Sequence, residues 1–177
     1  MHMNRNEIAR IALTQAELLN IDALGYIERL RFFVPAAPDL IPRVVSQSAL
    51  YRQERGEDWF WCAPRVFCHI GLGRMVGSAC FKGSPCDGEV EIGYGVADAC
   101  TGRGFATAGV ALMLEEAFCT GQIIAVTAET SADNIASERV LEKNGFKQTG
   151  SRIDTEEGCL KQWRRLIGKR RSADEPK

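Results

Sequence analysis

Residues 91–107 constrain the fold of this chain more than any other stretch, and they read EIGYGVADACTGRGFAT. The apolar run that ends at Val96 predicts a strand, and the apolar residues after Gly104 predict a helix. Gly102 and Gly104 lie between them, where glycine permits a sharp turn and a close approach of the backbone to a ligand. A strand that leads through a glycine turn into a helix N-terminus can bind an anion, because the first helical amides lack partners and the helix dipole favours negative charge.

The glycine turn by itself leaves its ligand open. It lacks the Gly-Lys-Ser/Thr ending of a P-loop and the third spaced glycine of a dinucleotide-binding turn. A tight strand-to-helix turn without any ligand explains Gly102 and Gly104 equally well. Arg103, between the two glycines, could add a positive charge to an anion site.

Elsewhere the sequence predicts one mixed α/β domain over residues 1–167 and a charged, disordered tail over 168–177. Apolar spacing predicts helices over 41–55, 105–119 and 134–144. Within residues 7–30 the spacing is largely helical from Leu18 onward, and Thr14 and Glu17 form a capping-box pattern. Aromatic and β-branched runs predict strands over 59–62, 65–70, 74–82, 89–96, 123–129, 146–153 and 159–167. The strands before residue 97 should form an antiparallel meander, whereas the strands joined by the helix over 105–119 should run parallel.

Charge and composition exclude several classes of protein. Lys and Arg number 22 against 23 Asp and Glu, a balance that argues against a protein that binds nucleic acid or an anionic membrane surface. No apolar run approaches the roughly 20 residues that span a bilayer, so we expect no membrane segment. The seven cysteines form no C-x-x-C pair and have only His69 as a plausible imidazole partner, which predicts a cytoplasmic protein with reduced thiols and no metal.

Three segments carry a more specific signal. Residues 102–107 read GRGFAT, and Thr101, Gly104 and Ala106 fall at the marked positions of the pattern Gln/Arg-x-x-Gly-x-Gly/Ala, with a departure only at the threonine. Downstream stand Asn134-x-x-Ser137 and the run LEKNGF, and upstream stands the strand EIGYGV. In this order and spacing, residues 75–150 resemble the GNAT family of N-acetyltransferases, and most closely its ribosomal-protein and small-molecule acetyltransferases.

The resemblance implies a mixed, mostly antiparallel sheet with helices on both faces and a splayed central strand pair. It also implies acetyl-CoA as cosubstrate. The turn would bind the CoA pyrophosphate, the strand before it would pair with the pantetheine amides, and Asn134 would contact the pantetheine arm or act only as a helix N-cap. The implied CoA-binding residues are Tyr94, Gly95, Val96, Thr101, Gly102, Arg103, Gly104, Phe105, Ala106, Thr107, Asn134 and Ser137.

The implied reaction is direct attack of an amine on the thioester carbonyl, which requires a proton acceptor and a donor for the departing thiolate. Strand alternation places Glu89 and Glu91 on one face, so both are candidate bases, although a solvated polar face explains them equally well. Ser137 is the candidate acid, because Leu141 stands where many members of the family have a tyrosine. Tyr94 is a weaker candidate acid.

The acceptor is the least defined part of the prediction. A peptide α-amine, an aminoglycoside, a polyamine and an amino acid all fit the resemblance. We expect the acceptor to enter between the N-terminal helices and the sheet, beside Trp59, Trp61 and Phe32 unless these aromatics belong to the core. A CoA-binding module without catalysis is the alternative, and the sequence leaves the oligomeric state open between a monomer and a homodimer.

Overall fold

The computed structural model describes residues 7–19 and 30–168. In chain order the elements are β1 (Ile8–Ala12), α1 (Gln15–Leu19), β2 (Val34–Pro35), α2 (Arg43–Glu54), α3 (Trp59–Cys62), β3 (Arg65–His69), β4 (Arg74–Phe81), β5 (Glu89–Val96), α4 (Phe105–Cys119), β6 (Ala125–Ser131), α5 (Ile135–Lys143), β7 (Lys147–Asp154) and β8 (Gly158–Leu166). None of the helices in these two ranges has the length and apolar character needed to cross a membrane.

The strands form one open sheet in the order β1-β3-β4-β5-β6-β8-β7, with the short β2 paired to β4. The β5–β6 and β2–β4 pairs are parallel and all the others are antiparallel. This confirms the meander over β3, β4 and β5 and the parallel strands on either side of α4. A mixed, mostly antiparallel sheet is therefore the fold class, as the sequence predicted.

The sheet separates two apolar clusters, because successive side chains of β3 and β4 point to opposite faces. Phe67 and Val76 pack with α4 and α5 on one face. Val66 and Met75 pack with α1 and α2 on the other. Helices thus cover both faces, and each face has its own core.

β5 and β6 are neighbours over only three residues each, where Glu89–Glu91 pairs with Ala125–Thr127. Beyond this point β5 stays with β4 as far as Val96, while β6 stays with β8 as far as Ser131. The two strands therefore diverge and leave a gap in the middle of the sheet, which confirms the predicted splayed pair.

One strand was not predicted and one predicted strand is wrong. The edge strand β1, which pairs with β3, precedes the predicted N-terminal helix, of which the structure describes the short helix α1. Thr14 and Glu17 do form the capping box of α1, with N–H to side-chain distances of 2.7 and 3.2 Å. Residues 59–62 form the helical turn α3 rather than a strand, because the Asp58 side chain accepts a hydrogen bond from the Phe60 amide and caps it. Residues 20–29 of the predicted helix, and 169–177 of the predicted tail, lie outside the described residues.

Candidate functional site

The glycine turn between β5 and α4 presents an open helix N-terminus. Gly102 and Gly104 have φ values of 71° and 84°, in the left-handed region that favours glycine, and Gly104 is the N-cap of α4. The first bond into the helix runs from the Ala108 amide to the Gly104 carbonyl, so the amides of residues 105–107 have no intrahelical partner. The N-cap glycine brings no side chain to occupy them, and the 15-residue helix directs its positive end at this turn.

Thr101 and Arg103 have different roles in the turn. The Thr101 hydroxyl and amide both donate to the Asp98 carbonyl, at 2.8 and 3.1 Å, and so close the short 3-10 turn over Asp98–Cys100. The exposed Arg103 guanidinium lies 5.0 Å from the Phe105 ring centroid, which keeps its charge beside the N-terminus of α4. Threonine in place of the expected glutamine or arginine therefore stabilises the turn.

The backbone of β5 has free polar groups where the central strands diverge. The Lys82 amide donates to the Glu91 carbonyl at 2.8 Å, and the β4–β5 register continues unchanged to Val96. Bonded and non-bonded pairs alternate along an antiparallel ladder, so odd-numbered residues of β5 bond to β4 and even-numbered residues face the other way. The amide and carbonyl groups of Tyr94 and Val96 therefore point into the gap, where β6 has already diverged.

The first turn of α5 borders the same gap. The Asn134 Oδ1 accepts a hydrogen bond from the Ser137 amide at 3.0 Å and caps the helix, as the sequence predicted, and its Nδ2 lies on an exposed residue. The Tyr94 hydroxyl reaches across from β5 and donates to the Ser137 carbonyl at 3.2 Å. Burial raises the pKa of the Tyr94 phenol, so this group keeps its proton at neutral pH.

Ser137 and Leu141 differ sharply in environment. Leu141 is fully buried in the core cluster on the α4 face, so no polar group stands at the position of the family's tyrosine. Ser137 is half-buried at the gap beside Tyr94. The structure therefore brings two hydroxyl groups, those of Ser137 and Tyr94, to the edge of the gap.

Both candidate bases are ion-paired. Glu91 Oε1 lies 2.6 Å from Lys82 Nζ and is shielded from water. The contact does not have the geometry of a hydrogen bond, so it is an ion pair. Glu89 Oε1 accepts from Nε and Nη2 of Arg164 on β8, at 3.0 and 2.6 Å. Val90 and Ile92, which alternate with them along the strand, are buried on the opposite face, so the two carboxylates share one face of β5.

A cavity of about 570 Å³ lies on the face of the sheet opposite α4, between α2 and the strands β4 and β5. Lys82, the partner of Glu91, lines this cavity, whereas Arg164, the partner of Glu89, does not. The far end of the cavity includes residues 93–98 of β5 and the turn. Neither candidate base lines the cavity itself. Glu91 precedes Gly93, the first β5 residue of the lining, by two positions, and Glu89 precedes it by four.

The expected aromatic lining is absent from this cavity. Trp61 is buried in the core, and the Trp59 Nε1 donates to the Leu13 carbonyl at 2.9 Å. Phe32 is 72% exposed beneath the Arg31 guanidinium. The wall is formed instead by apolar residues of α2. The cavity thus lies between an N-terminal helix and the sheet, where the acceptor was expected to enter, although the aromatic residues proposed for its lining do not form it.

His69 has a structural environment. Its Nδ1 accepts a hydrogen bond from the Leu72 amide at 3.1 Å, and its ring packs edge-on against Phe105 with centroids 5.3 Å apart. It does not line the cavity. Within residues 7–19 and 30–168, the His, Cys, Asp and Glu side chains form no cluster of three or more that could hold a metal ion.

This chain is similar to the proteins of one known family. The family model described as "Acetyltransferase (GNAT) domain" matches residues 26–147, more than half of the chain. No curated protein shows a significant match to the sequence.

Solved structures share the fold. RimL, a ribosomal L7/L12 α-N-protein acetyltransferase in complex with coenzyme A, is 17% identical with a TM-score of 0.65, over 91% of this chain and 94% of that one. Ribosomal-protein-S5-alanine acetyltransferase from Vibrio fischeri is 13% identical with a TM-score of 0.65, over 90% and 93%. A mutant of the spermidine N-acetyltransferase SpeG from Vibrio cholerae is 15% identical with a TM-score of 0.63, over 91% and 94%. With the fold shared and the family model spanning most of the sheet, the chain belongs to the GNAT family and is an acetyltransferase of that family.

Proposed function

We propose that this protein transfers the acetyl group of acetyl-CoA directly to a primary amine. The observation that carries the proposal is the gap between β5 and β6, which opens beside the uncapped N-terminus of α4. A ligand with an extended, amide-containing arm and a pyrophosphate group matches this arrangement. The arm would lie in the gap and the pyrophosphate at the N-terminus of α4. The coenzyme A bound to the related RimL structure supports the same ligand.

The cofactor would be held mainly by backbone atoms. The amides of residues 102–107 would bind the pyrophosphate at the positive end of α4. The free backbone groups of Tyr94 and Val96 would pair with the pantetheine amides, as an added strand would. The Asn134 Nδ2 can donate to the pantetheine arm while its Oδ1 caps α5, so its two proposed roles are compatible.

The acceptor amine would approach from the cavity on the other side of β5. Its nitrogen bonds to the thioester carbon while an amide near Val96 polarises the carbonyl oxygen. The carbon–sulfur bond breaks, and the proton of the amine passes to a carboxylate, directly or through water. Glu91 is the proposed base, because its partner Lys82 lines the cavity and that of Glu89 does not.

The departing thiolate needs a proton, and Ser137 and Tyr94 are the available donors. Ser137 is the donor that the sequence predicted. The Tyr94 phenol lies at the same edge of the gap and remains protonated at neutral pH, so it can serve where Leu141 cannot. A cytoplasmic location is part of the proposal, since all seven cysteines are free thiols.

The test measures CoA release from acetyl-CoA with a panel of primary amines, alongside the melting temperature with and without CoA. Amine-dependent release together with a CoA-induced rise in melting temperature is the expected result. A rise in melting temperature without release would instead identify a CoA-binding module, an alternative favoured by the buried Leu141. No change with either CoA or acetyl-CoA would overturn both.

A further inference from the structure

The floor of the cavity is made of small side chains. Ser78 pairs directly with Gly95 across β4 and β5, and Cys80 pairs directly with Gly93, so all four face the same side of the sheet. A Cβ atom placed on Gly95 would meet no atom within 4 Å. A Cβ atom placed on Gly93 would meet Cys80 Sγ and Lys82 Cε at 3.5 Å, so the open part of the floor is at Gly95, where a small planar group can lie.

The opposite wall is apolar. α2 and the residues before it present Leu40, Pro42, Val44, Val45 and Ala49 to the cavity. Apolar contact contributes about 25 cal/mol per Å² removed from water, so this wall favours a ligand with an apolar body. A cavity of about 570 Å³ between such surfaces is within the usual size range for small-molecule sites.

The two cations of the cavity are neutralised by carboxylates of this chain. Arg52 Nη2 lies 2.7 Å from Glu57 Oε2, and Arg52 Nη1 donates to the Phe81 carbonyl at 3.0 Å. Lys82 is paired with Glu91. Neither cation is free to hold a carboxylate of the acceptor.

Two carboxylates of the cavity have no cation. Asp39 and Asp98 both line the cavity on exposed residues, and neither forms an ion pair or side-chain hydrogen bond within the part of the chain that the structure describes. They attract the positively charged form of a primary amine to the cavity. A polycation would also press further ammonium groups against the apolar wall, where their desolvation opposes binding.

A peptide is poorly matched for a different reason. Its buried amides need partners, and leaving one unsatisfied is costly. The Ser78 hydroxyl already donates to the Leu40 carbonyl at 2.6 Å, and the backbone of Gly93 and Gly95 bonds to β4. Few polar groups of the floor are therefore left for a peptide backbone.

We propose that the acceptor is a primary monoamine on a flat, apolar body, such as an arylalkylamine. It is preferred over polyamines, aminoglycosides, peptides and amino acids. This inference rests on the proposed function and assigns its substrate class. The planar group lies between the small-residue floor and α2, and the amine is directed along β5 towards the amide near Val96.

The first experiment compares kcat/KM for 2-phenylethylamine, L-phenylalanine, spermidine, kanamycin and a tetrapeptide with a free N-terminus. L-Phenylalanine has the same ring and differs by a carboxylate, which would find no unpaired cation in the cavity, since Arg52 and Lys82 are paired with Glu57 and Glu91. We expect 2-phenylethylamine to exceed each of the others by about tenfold or more. A higher kcat/KM for any other compound would overturn the inference and leave the proposed acetyl transfer standing.

The second experiment fills the cavity from α2. Ser48 and Gln47 are adjacent exposed residues of α2, but only Ser48 lines the cavity. Ser48→Phe should raise KM for 2-phenylethylamine about tenfold with an unchanged Kd for CoA, and Gln47→Phe should change neither. Equal effects of the two variants would overturn the assignment of the cavity. Acetylation of no compound by a protein that binds CoA would overturn the proposed function along with the inference.

Discussion

The two sides of β5 differ in what builds them. On the side proposed to bind the cofactor, a contiguous segment from Tyr94 to Thr107 presents backbone amides, and two glycines with positive φ set their direction. On the side proposed to bind the acceptor, the cavity collects side chains from residues 37–52, 62, 78–82 and 93–98. A site made of local backbone leaves a motif in the sequence, whereas a site made of side chains from distant segments does not. The same difference decides which substitutions each side tolerates.

Glu91→Gln tests the chemistry of the acceptor side and should have the largest effect. Without a carboxylate to accept the amine proton, kcat should fall about a hundredfold, and the acidic limb of its pH profile should disappear. The Kd for CoA should not change, because the Glu91 side chain is on the face of β5 opposite α4, whose N-terminus is the proposed pyrophosphate site. Glu89→Gln is the matched control, since it removes the carboxylate paired with Arg164 and should cost far less activity.

An unchanged pH profile in Glu91→Gln would exclude it as the base. If Glu89→Gln then lost the acidic limb instead, the base would lie towards β8 rather than at the cavity. A loss of CoA affinity in either variant would contradict the separation of the two sides.

Ala106→Pro tests the backbone character of the cofactor side. Proline in the first turn of a helix removes an amide that has no intrahelical partner, so the fold should be retained. One hydrogen bond to a charged group contributes roughly 1.5–3 kcal/mol, so the Kd for CoA should rise by about tenfold or more. Ala106→Ser keeps the amide and should bind CoA normally.

Calorimetric titration with CoA, together with the melting temperature of each free variant, checks this prediction. Unchanged CoA affinity in Ala106→Pro, at an unchanged melting temperature, would mean that the pyrophosphate does not contact this amide.

Tyr94→Phe tests the boundary between the two sides. If the phenol protonates the departing thiolate, kcat should fall about tenfold while KM for the amine stays constant. Ser137→Ala is the comparison, because both hydroxyl groups lie at the same edge of the gap. Pre-steady-state measurement of CoA thiol release distinguishes Tyr94→Phe from Ser137→Ala. Only the variant that lacks the proton donor should release the thiol more slowly. Equal kcat in wild type and Tyr94→Phe would leave Ser137 as the donor.

The conformation of the glycine turn and the cap of α5 could be predicted from the sequence for the same physical reason. Gly102, Gly104 and Asn134 are identified by conformations and caps that their own neighbours determine. The strand over residues 8–12 was not predicted, because local apolar spacing does not reveal that β3 offers a strand edge to pair with. Arg52 likewise has no local signal, since its partners Glu57 and Phe81 meet it only in the folded chain. The sequence shows that Leu141 departs from the family pattern, but it does not show that this side chain is buried.

Glu57→Gln tests how α2, the wall of the cavity, is held in place. Hydrogen bonds from Arg52 and Ser84 lower the Glu57 pKa to about 2 from an ordinary value of 4.5. A pKa that is lower in the folded state means that the contribution to stability is fully present above about pH 4.5 and is lost as the pH falls towards 2. The variant should therefore be less stable than wild type by about 1 kcal/mol at pH 7, a small value because Glu57 is partly exposed.

Thermal unfolding from pH 7 to pH 2 checks the sign. The melting temperature of Glu57→Gln should be lower by roughly 2–4 °C at neutral pH, and the difference should shrink towards zero near pH 2. Glu54→Gln, at the last residue of α2, is the control, because that exposed side chain forms no ion pair with any residue that the structure describes. At pH 7, Glu57→Gln should also raise KM for the amine without changing the Kd for CoA, since it loosens only the acceptor wall. A matching rise in both constants would mean that α2 supports the two sides together, and that the sheet does not separate them.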